Sequence, residues 1–426
     1  MLELLPEKYT SPRITGEFCD CSMPLTLDTY SNCSFNCLYC FSTFQRAVGQ
    51  SAENYLQKKA KAISVKKLKW YFENPNDPKN PFGHIIKNRI TMQIGGLSDP
   101  FDEFEEKYGV GYETLSYLKE IRYPLNFSSK GDLILRDKKY LDLFEGMGDV
   151  WSYKASIITW NPKTAKVLEA GAPSPQRRAE VLETLGKMGI WTIWRLRPFI
   201  IGITDKDYEQ QLEHAGKIGV KAISTEFFCL ELRSINTAAS KYAMMSKLCG
   251  FDIVQFYKNI SVTNGYLRLN RKIKEPYYKR MRELCDKYGI NMHVSDAHGK
   301  EYSDSGSCCG LPDGKDGKPC LTKYSEFQFT NALKIAKKKG YVTWDDIAPA
   351  DNFNNLTMLK APGLNTGSNE KREKFCQVTL HQFMKNLWNE PNKPNSPYKY
   401  FQGILHPISL DKNKNVIYEF RPYKEV

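Results

Sequence analysis

The order of apolar and polar residues divides the first half of the chain into short hydrophobic runs and longer amphipathic stretches. The runs are rich in β-branched and aromatic residues, which favours strands. Six strands are predicted, at Leu25–Tyr30, Arg89–Ile94, Leu125–Ser129, Trp151–Thr159, Thr192–Arg197 and Ala222–Phe228. Helices are predicted between them at Tyr112–Ile121, Pro175–Met188 and Asp207–Ile218. Glycine follows the last two helices, as it commonly does at helix ends.

Strands that alternate with helices are typical of parallel sheets with right-handed crossovers, as in an α/β barrel or an open sheet. Beyond residue 228 the alternation is less regular. The pattern there predicts helices at Tyr277–Tyr288, Ser325–Lys339 and Val378–Trp388, and strands at Ile290–Ser295 and Val416–Phe420. We therefore divide the chain into an N-terminal extension (1–24), an α/β domain (25–300), a cysteine-rich loop (301–324) and a small α+β C-terminal region (325–426).

Composition narrows the class of protein. Of the 426 residues, 41% are hydrophobic and 26% charged, which is ordinary for a globular chain. No apolar run reaches the length of a membrane span, and Met1–Lys8 lacks the basic start and apolar stretch of a signal peptide. We expect a cytoplasmic protein without a membrane partner. In that compartment its 12 cysteines are more often metal ligands or catalytic groups than disulfides.

Three of these cysteines follow the first predicted strand at the spacing CxxxCxxC: Cys33, Cys37 and Cys40. Such short gaps let one loop wrap a face of an iron–sulfur cluster, with each sulfur on a different iron. A zinc site is the alternative, but it needs a fourth nearby Cys or His. Neither residue type occurs in the forty positions after Cys40, so the motif favours a [4Fe–4S] cluster with one iron left open.

With the aromatic Tyr39 before its last cysteine, the motif resembles that of the radical S-adenosylmethionine (SAM) enzymes. The resemblance implies that the three cysteines hold the cluster and that the amine and carboxylate of SAM bind the fourth iron. One-electron reduction would cleave SAM to a 5′-deoxyadenosyl radical, which abstracts hydrogen from the substrate. It also implies a partial (β/α)6 barrel of the TIM type for residues 25–300, and an electron donor of the flavodoxin or ferredoxin type.

Further segments of this chain are similar to the spore photoproduct lyase and DNA repair photolyase-like branch of that superfamily. They are Ile94–Phe101, Ser128–Lys130, Ser156–Thr159, Leu168-Glu169, Ala172–Arg177 and Arg197–Asp205. The resemblance covers about residues 25–228. It does not extend to the hydrogen-donor cysteine of spore photoproduct lyases, because Phe41 follows Cys40 and the flanking pattern differs. Repair of a thymine dimer is therefore not supported beyond membership of the branch.

The resemblance gives a set of candidate SAM-binding residues: Tyr39, Gly95, Gly96, Ser98, Asp99, Lys130, Ser156, Arg195 and Arg197. Glycines at 95 and 96 would let backbone carbonyls approach the SAM amine, or would simply end a strand in a turn. Lys130 would pair with the SAM carboxylate unless it is solvated, and Ser156 would hydrogen-bond the carboxylate or ribose unless it is a small core residue. Asp99 would accept from SAM or cap the next helix.

The arginines at 195 and 197 alternate along one strand, so both should point to the same face. Inside a barrel they need anionic partners, which the SAM carboxylate or a phosphate would supply.

A second cysteine group, Cys308, Cys309 and Cys320, lies in the cysteine-rich loop. An auxiliary iron–sulfur cluster is one interpretation, with a fourth ligand from Cys229, Cys285, Cys19 or Cys21. A zinc site that uses His298 is another, and a loop with a single functional thiol is the third. Cys229, Cys308 and Cys309 are also candidates for a thiol that donates hydrogen to a product radical.

The net charge of +13 favours an anionic partner. Arg268–Lys287 carries eight basic residues interleaved with Tyr277 and Tyr278, which suits phosphate neutralisation and base stacking or, equally, a solvated helix face. We expect the substrate to be a nucleobase or nucleotide, in DNA or RNA, that is modified or repaired. The alternatives are a peptide- or protein-modifying radical SAM enzyme, for which an auxiliary cluster would be typical, and a nucleic-acid-binding scaffold.

Overall fold

The structure is a computed structural model, and it describes residues 3–9, 11–14, 20–42, 59–232, 234–261, 266–311, 326–348 and 378–423. The strands are β1 (Arg13–Ile14), β2 (Leu25–Leu27), β3 (Met92–Ile94), β4 (Leu125–Ser129), β5 (Trp151–Ser156), β6 (Trp191–Phe199), β7 (Ala222–Phe227), β8 (Leu230–Glu231), β9 (Tyr266–Leu267), β10 (Asn291–Val294), β11 (Tyr341–Val342), β12 (Leu405–Leu410) and β13 (Val416–Phe420).

Helices of at least seven residues lie at Val65–Glu73, Val110–Glu120, Pro162–Leu168, Pro175–Lys187, Tyr208–Lys217, Ala239–Cys249, Ile253–Ile260, Arg271–Tyr288, Phe329–Lys339 and Leu380–Asn389. Shorter helices lie at Gly83–Lys87, Glu103–Tyr108, Leu133–Arg136, Lys138–Asp142, Ser234–Thr237 and Pro397–Tyr400. Within the described ranges, no helix is both long enough and apolar enough to cross a bilayer.

Eight strands form one sheet in the order β1-β2-β3-β4-β5-β6-β7-β10. Strands β2 to β7 and β10 run parallel, whereas β1 pairs antiparallel with β2 at one edge. The mixed α/β fold with a mostly parallel sheet is confirmed, and the sheet is not closed. Its seventh parallel strand, β10, is the strand predicted at Ile290–Ser295, so the sheet has one parallel strand more than the six of the expected barrel. Two residues of the segment assigned to the N-terminal extension form β1.

Strand periodicity decides which side chains face the helices and which face the hollow of the sheet. The rings of Phe127 and Tyr153 pack with Phe101 and Phe144 in the buried layer under the helices. Their neighbours of opposite parity on the same strands, such as Ser128 and Ser156, line a pocket instead. The helix layer is therefore apolar and the hollow of the sheet is polar.

Two chain segments, one before β2 and one after β10, meet each other. The hydroxyl of Ser22 donates to the Ser307 hydroxyl over 3.3 Å, and Met23 packs against Cys309 and Leu311. Trp191 at the start of β6 donates its indole N–H to the carbonyl of residue 310. Residues 305–311 therefore contact both the segment before β2 and the start of β6.

The last part of the chain forms a separate three-stranded antiparallel sheet in the order β11-β13-β12. Its core is aromatic: Trp388 stacks edge-on with Tyr418, and its indole N–H donates to the Val416 carbonyl over 2.7 Å. The Asp20 carboxylate links this region to the barrel, because it accepts from Lys300, Thr330 and Tyr400.

Candidate active site

The carboxyl ends of the parallel strands surround a pocket of about 380 Å³, the position where α/β folds place their ligands. The candidate residues that line it are Cys33, Cys37, Tyr39, Cys40, Gly95, Gly96, Ser98, Asp99, Lys130, Ser156, Arg195, Arg197 and Cys229. The residues that the family resemblance singled out therefore line one cavity, although they are far apart in the sequence.

The loop that carries the three cysteines is anchored on both sides. The backbone N–H and the hydroxyl of Ser34 donate to the Asp102 carboxylate over 2.7 and 3.1 Å, and the Leu38 N–H donates to the Leu168 carbonyl over 2.9 Å. A Cβ on Gly171 would come within 2.8 Å of the Phe35 Cα, so only glycine allows this close approach. Packing with the rest of the barrel therefore fixes the loop.

The three thiols lie in a region of low solvent access. Burial raises the pKa of the Cys37 thiol to about 12, and burial followed by the charges of Asp102 and Asp99 holds the pKa of Cys33 well above its usual range. Within the described ranges, no three His, Cys, Asp or Glu side chains converge closely enough to hold a single metal ion. A four-iron cluster does not require such convergence, because each sulfur binds a different iron.

The aromatic residue of the motif joins a buried charged network. The Tyr39 hydroxyl donates to Glu169, whose carboxylate also accepts from Arg178 over 2.5 Å, and both charged side chains are only 1% exposed. The ammonium of Lys130 lies 5.6 Å from the centroid of the Tyr39 ring. Glu169 and Arg178 thus fix the orientation of the ring in the pocket.

Gly95 is required by the chain itself. It has a φ of +80°, and a Cβ there would lie 2.4 Å from the Ser128 carbonyl oxygen. At Gly96 a Cβ would meet the Thr26 side chain at 2.5 Å. These contacts explain the two glycines without any ligand.

Asp99 does not cap a helix, which corrects one of the two expectations for this residue. Its carboxylate accepts from the Ser129 hydroxyl and the Lys130 N–H, both over 2.6 Å. Asp102 caps the following helix instead, by accepting from the Phe104 N–H. Asp99 therefore ties the loop after β3 to the end of β4 and so positions Lys130.

The hydroxyl of Ser98 also makes a contact within the protein, by donating to the Tyr30 carbonyl over 2.8 Å.

The two arginines of β6 both line the pocket, as their alternation predicts. Arg197 forms an ion pair with Glu226 and donates to the Ser295 hydroxyl over 3.0 Å. Arg195 donates to the Ser128 hydroxyl and makes no ion pair with a carboxylate of the described chain. Burial, followed by the charge of Arg197, lowers the pKa of Arg195 to about 10. A bound anion would compensate this buried charge.

The second cysteine group is only partly visible. The Cys308 and Cys309 sulfurs lie 3.8 Å apart within residues 305–311, and neither lines the pocket. Cys285 is buried in a helix, and Cys21 donates to the Met23 carbonyl.

Three expectations fall outside the described residues: Cys19, Cys320 and the side chain of His298.

Two basic side chains of the site were not predicted from the sequence. Lys154, on β5, is 1% exposed, and its pKa is lowered by burial. Its alternation with Ser152 and Ser156 is the signal that would have placed it inside the barrel. Arg268 lines the pocket, although the sequence suggested only a place in a basic surface segment.

Only part of the basic segment 268–287 is exposed, although its composition suggested either a nucleic-acid surface or a solvated helix face. Arg271 and Lys274 are buried and pair with Glu275, Glu301 and Asp296. Tyr278 is fully buried, so its ring has no face for a base. The helix begins at Arg271 rather than at Tyr277, because the Asn270 side chain caps it by accepting from the Ile273 N–H.

Two further cations of this helix also pair with carboxylates. Arg280 pairs with Glu209 and Glu283, and Arg282 pairs with Asp286 and Asp304. The helix therefore packs on the barrel, and carboxylates of the protein neutralise several of its cations.

Comparison with known proteins gives no matching family model. Among curated relatives, an uncharacterised protein of Methanocaldococcus jannaschii is 26% identical over 185 residues, which are 43% of this chain and 62% of the relative. An uncharacterised protein of Mycobacterium tuberculosis is 23% identical over 215 residues, 49% of this chain and 59% of the relative. The chain thus spans about three fifths of the length of the curated relatives it matches.

Two solved structures are similar in fold. Spore photoproduct lyase complexed with dinucleoside spore photoproduct has a TM-score of 0.46 and 12% identity, over 64% of this chain and 76% of that one. SuiB of Streptococcus suis, bound to S-adenosylmethionine, has a TM-score of 0.42 and 11% identity, over 66% and 52%.

Proposed function

We propose that this chain is a radical SAM enzyme whose active site is the pocket at the carboxyl ends of the parallel strands. The observation that carries the proposal is the shared cavity. The cysteines at CxxxCxxC spacing follow β2, Lys130 follows β4, and Ser156 and Arg195 lie on β5 and β6, yet all of them line one pocket. A scaffold with a merely structural cluster would not need these polar side chains around the cysteines.

The residues present fit a [4Fe–4S] cluster and SAM. Three thiols on one anchored loop supply three ligands, and a cluster with three protein ligands leaves one iron for the cofactor. When bound, the reduced cluster supplies the electron that cleaves SAM to the 5′-deoxyadenosyl radical, which takes a hydrogen atom from the substrate. The cationic groups beside the thiols suit the negative charge that thiolates and a carboxylate bring.

The surrounding side chains bind and orient. The side-chain ammonium of Lys130 makes no hydrogen bond or ion pair within the described chain, so it is available to the SAM carboxylate. Arg195 supplies a second cation from β6, which is separated in the sheet by one strand from β4, the strand before Lys130. Ser156 adds a hydroxyl, and the rings of Phe227 and Phe228 exclude water from this side of the pocket.

Among the candidate hydrogen donors, we propose Cys229, because it lines the pocket whereas Cys308 and Cys309 do not. Burial raises the pKa of Cys229 to about 12, so the group is a neutral thiol at physiological pH and retains its S–H bond. Donation would break that bond, form a C–H bond in the product, and leave the unpaired electron on sulfur.

For the substrate we propose a nucleobase or nucleotide, free or in DNA or RNA, that is modified or repaired. The surplus of cations in the pocket supports it, as does the resemblance to the photolyase-like branch. A peptide is the second candidate, since the pair of cysteines at 308 and 309 could contribute to an auxiliary cluster. We further propose a flavodoxin- or ferredoxin-type donor in the cytoplasm as the electron source.

Deuterium transfer tests the substrate class. Reduced enzyme and SAM are incubated in parallel with deuterated DNA, bulk RNA and peptides, and 5′-deoxyadenosine is analysed by mass spectrometry. We expect deuterium from a nucleic-acid pool. Transfer from peptides alone would contradict the nucleotide proposal while leaving the radical chemistry intact. Iron analysis in the same preparation distinguishes one cluster, about four atoms per chain, from two, about eight.

A further inference from the structure

One arginine of the pocket takes no part in the proposed SAM site. Arg268 directly follows β9, lines the pocket and is exposed. It forms neither a hydrogen bond nor an ion pair with any residue of the described chain. An arginine held at a pocket wall in this way can offer two parallel N–H groups to an oxyanion.

Two carboxylates that act electrostatically on Arg268, those of Glu226 and Asp296, each pair with another cation. Glu226 pairs with Arg197, and Asp296 pairs with the buried ammonium of Lys274. Since Arg268 forms an ion pair with neither of them, its guanidinium can bind an anion from outside the chain.

Two exposed aromatic rings line the same pocket. Phe41 is 49% exposed and Tyr266 is 41% exposed, which places them among the few large apolar side chains of the described chain that are open to solvent. Phe41 follows the cysteine loop after β2, and Tyr266 lies on β9, which pairs antiparallel with β8 after β7. The two rings are therefore contributed by elements that are far apart in the chain, and they line the same cavity.

Exposed aromatic faces next to an unpaired arginine are the combination that binds a base and its phosphate. An acidic peptide would use the arginine but would leave the two rings without a matching group. The two exposed rings therefore favour a nucleotide over an acidic peptide as the ligand.

We propose that Arg268, Tyr266 and Phe41 form a nucleotide subsite, in which the arginine binds a phosphate and the two rings contact the base. This inference rests on the proposed function, because it takes the cysteine-lined pocket as the active site. It adds the residues that select the substrate, and it places them on the β7 side of the pocket and beside the cysteine loop.

The test measures binding, with no turnover required. The full-length, reconstituted protein with SAM present is titrated calorimetrically with the four 2′-deoxynucleoside 5′-monophosphates, with the corresponding nucleosides, and with a glutamate-rich hexapeptide. The variants are Arg268→Gln, Arg268→Lys, Tyr266→Ala and Phe41→Ala. Arg421→Gln, an exposed arginine paired with Glu419 in the C-terminal sheet, is the matched control.

We expect Arg268→Gln to weaken the binding of the monophosphates by about 10- to 100-fold and to leave nucleoside binding unchanged. Arg268→Lys should recover only part of the loss, because lysine lacks the planar fork. Loss of either ring should weaken nucleosides and monophosphates alike, by about tenfold. The control should bind every ligand as the unmodified protein does.

Equal binding of monophosphates by the unmodified protein and by Arg268→Gln would overturn the subsite. So would binding of the hexapeptide in place of every nucleotide. Release of 5′-deoxyadenosine, measured in the same preparation, separates this failure from failure of the proposed function. Cleavage of SAM without nucleotide binding refutes the subsite alone, whereas absence of cleavage refutes the radical SAM proposal.

Discussion

The ammonium of Lys130 lies 5.6 Å from the centroid of the Tyr39 ring, so the end of β4 meets the cysteine loop inside the pocket. Tyr39 is held from behind by Glu169, and the N–H of Lys130 is held by Asp99. Contacts within the protein therefore position Lys130 and the cysteine loop without any ligand. Because these contacts are separate, either one can be altered by substitution without displacing the other.

Replacing Lys130 by alanine should weaken SAM binding by about 10- to 100-fold, because a charge-assisted contact to the carboxylate is lost. The iron content should stay unchanged, since Lys130 is not a ligand. Equilibrium dialysis with labelled SAM and an iron assay measure the two effects. Lys138→Ala, at an exposed ion pair outside the pocket, is the control, and equal SAM affinity in both variants would exclude the assigned role.

Replacing Arg178 by methionine should lower the free energy of unfolding by about 3–5 kcal/mol, because it leaves the buried Glu169 carboxylate without its cation. The neighbouring Arg177 pairs with Glu180 and Asp132 near the surface, so Arg177→Met should cost about 1 kcal/mol or less. Urea unfolding compares the two variants. Equal losses would mean that the buried pair contributes no more than a surface pair.

Neutralising Lys279 and Arg280 together should leave the salt dependence of single-stranded DNA binding unchanged. Both side chains are exposed but are paired with Glu275, Glu209 and Glu283. Each lost phosphate contact would reduce the slope of log K against log salt by about 0.7. Binding titrations between 50 and 200 mM salt measure it, and a slope reduced by about 1.4 would restore the helix as a nucleic-acid surface.

His293 should make stability fall as the pH decreases from about 6.5 to about 4. Burial lowers the pKa of this fully buried imidazole to about 4, whereas the ordinary value is 6.5. The folded state therefore resists protonation in that window, and stability is retained above it. His293→Asn should remove about 2 kcal/mol of the difference between pH 7.5 and pH 5. Urea midpoints of both proteins at the two pH values test this, and parallel losses would contradict it.

The sequence predicts what local patterns control. Leu125–Ser129 is a strand with the expected bounds, and apolar and polar residues alternate at its start. Val416–Phe420 is one as well, and β-branched and aromatic residues predominate there. The cysteine spacing and the polar residues at the strand ends likewise lead to one pocket.

Long-range contacts control what the sequence did not predict. The basic composition suggested that Arg271 is exposed and binds a polyanion. In the structure its side chain is buried and pairs with Glu275 and Glu301. Arg268, three positions earlier, lies in the same basic segment and lines the pocket. Composition cannot separate these two arginines, since the difference depends on which carboxylates the fold brings near each of them.

The fate of SAM tests the central claim most directly. Anaerobically reconstituted, dithionite-reduced protein is incubated with SAM, and the products are quantified by chromatography for the unmodified chain and for Cys37→Ala. The account predicts 5′-deoxyadenosine and methionine in equal amounts from the unmodified chain and neither from the variant. Formation of S-adenosylhomocysteine instead, or unchanged SAM with a protein that holds stoichiometric zinc and no iron, would contradict it.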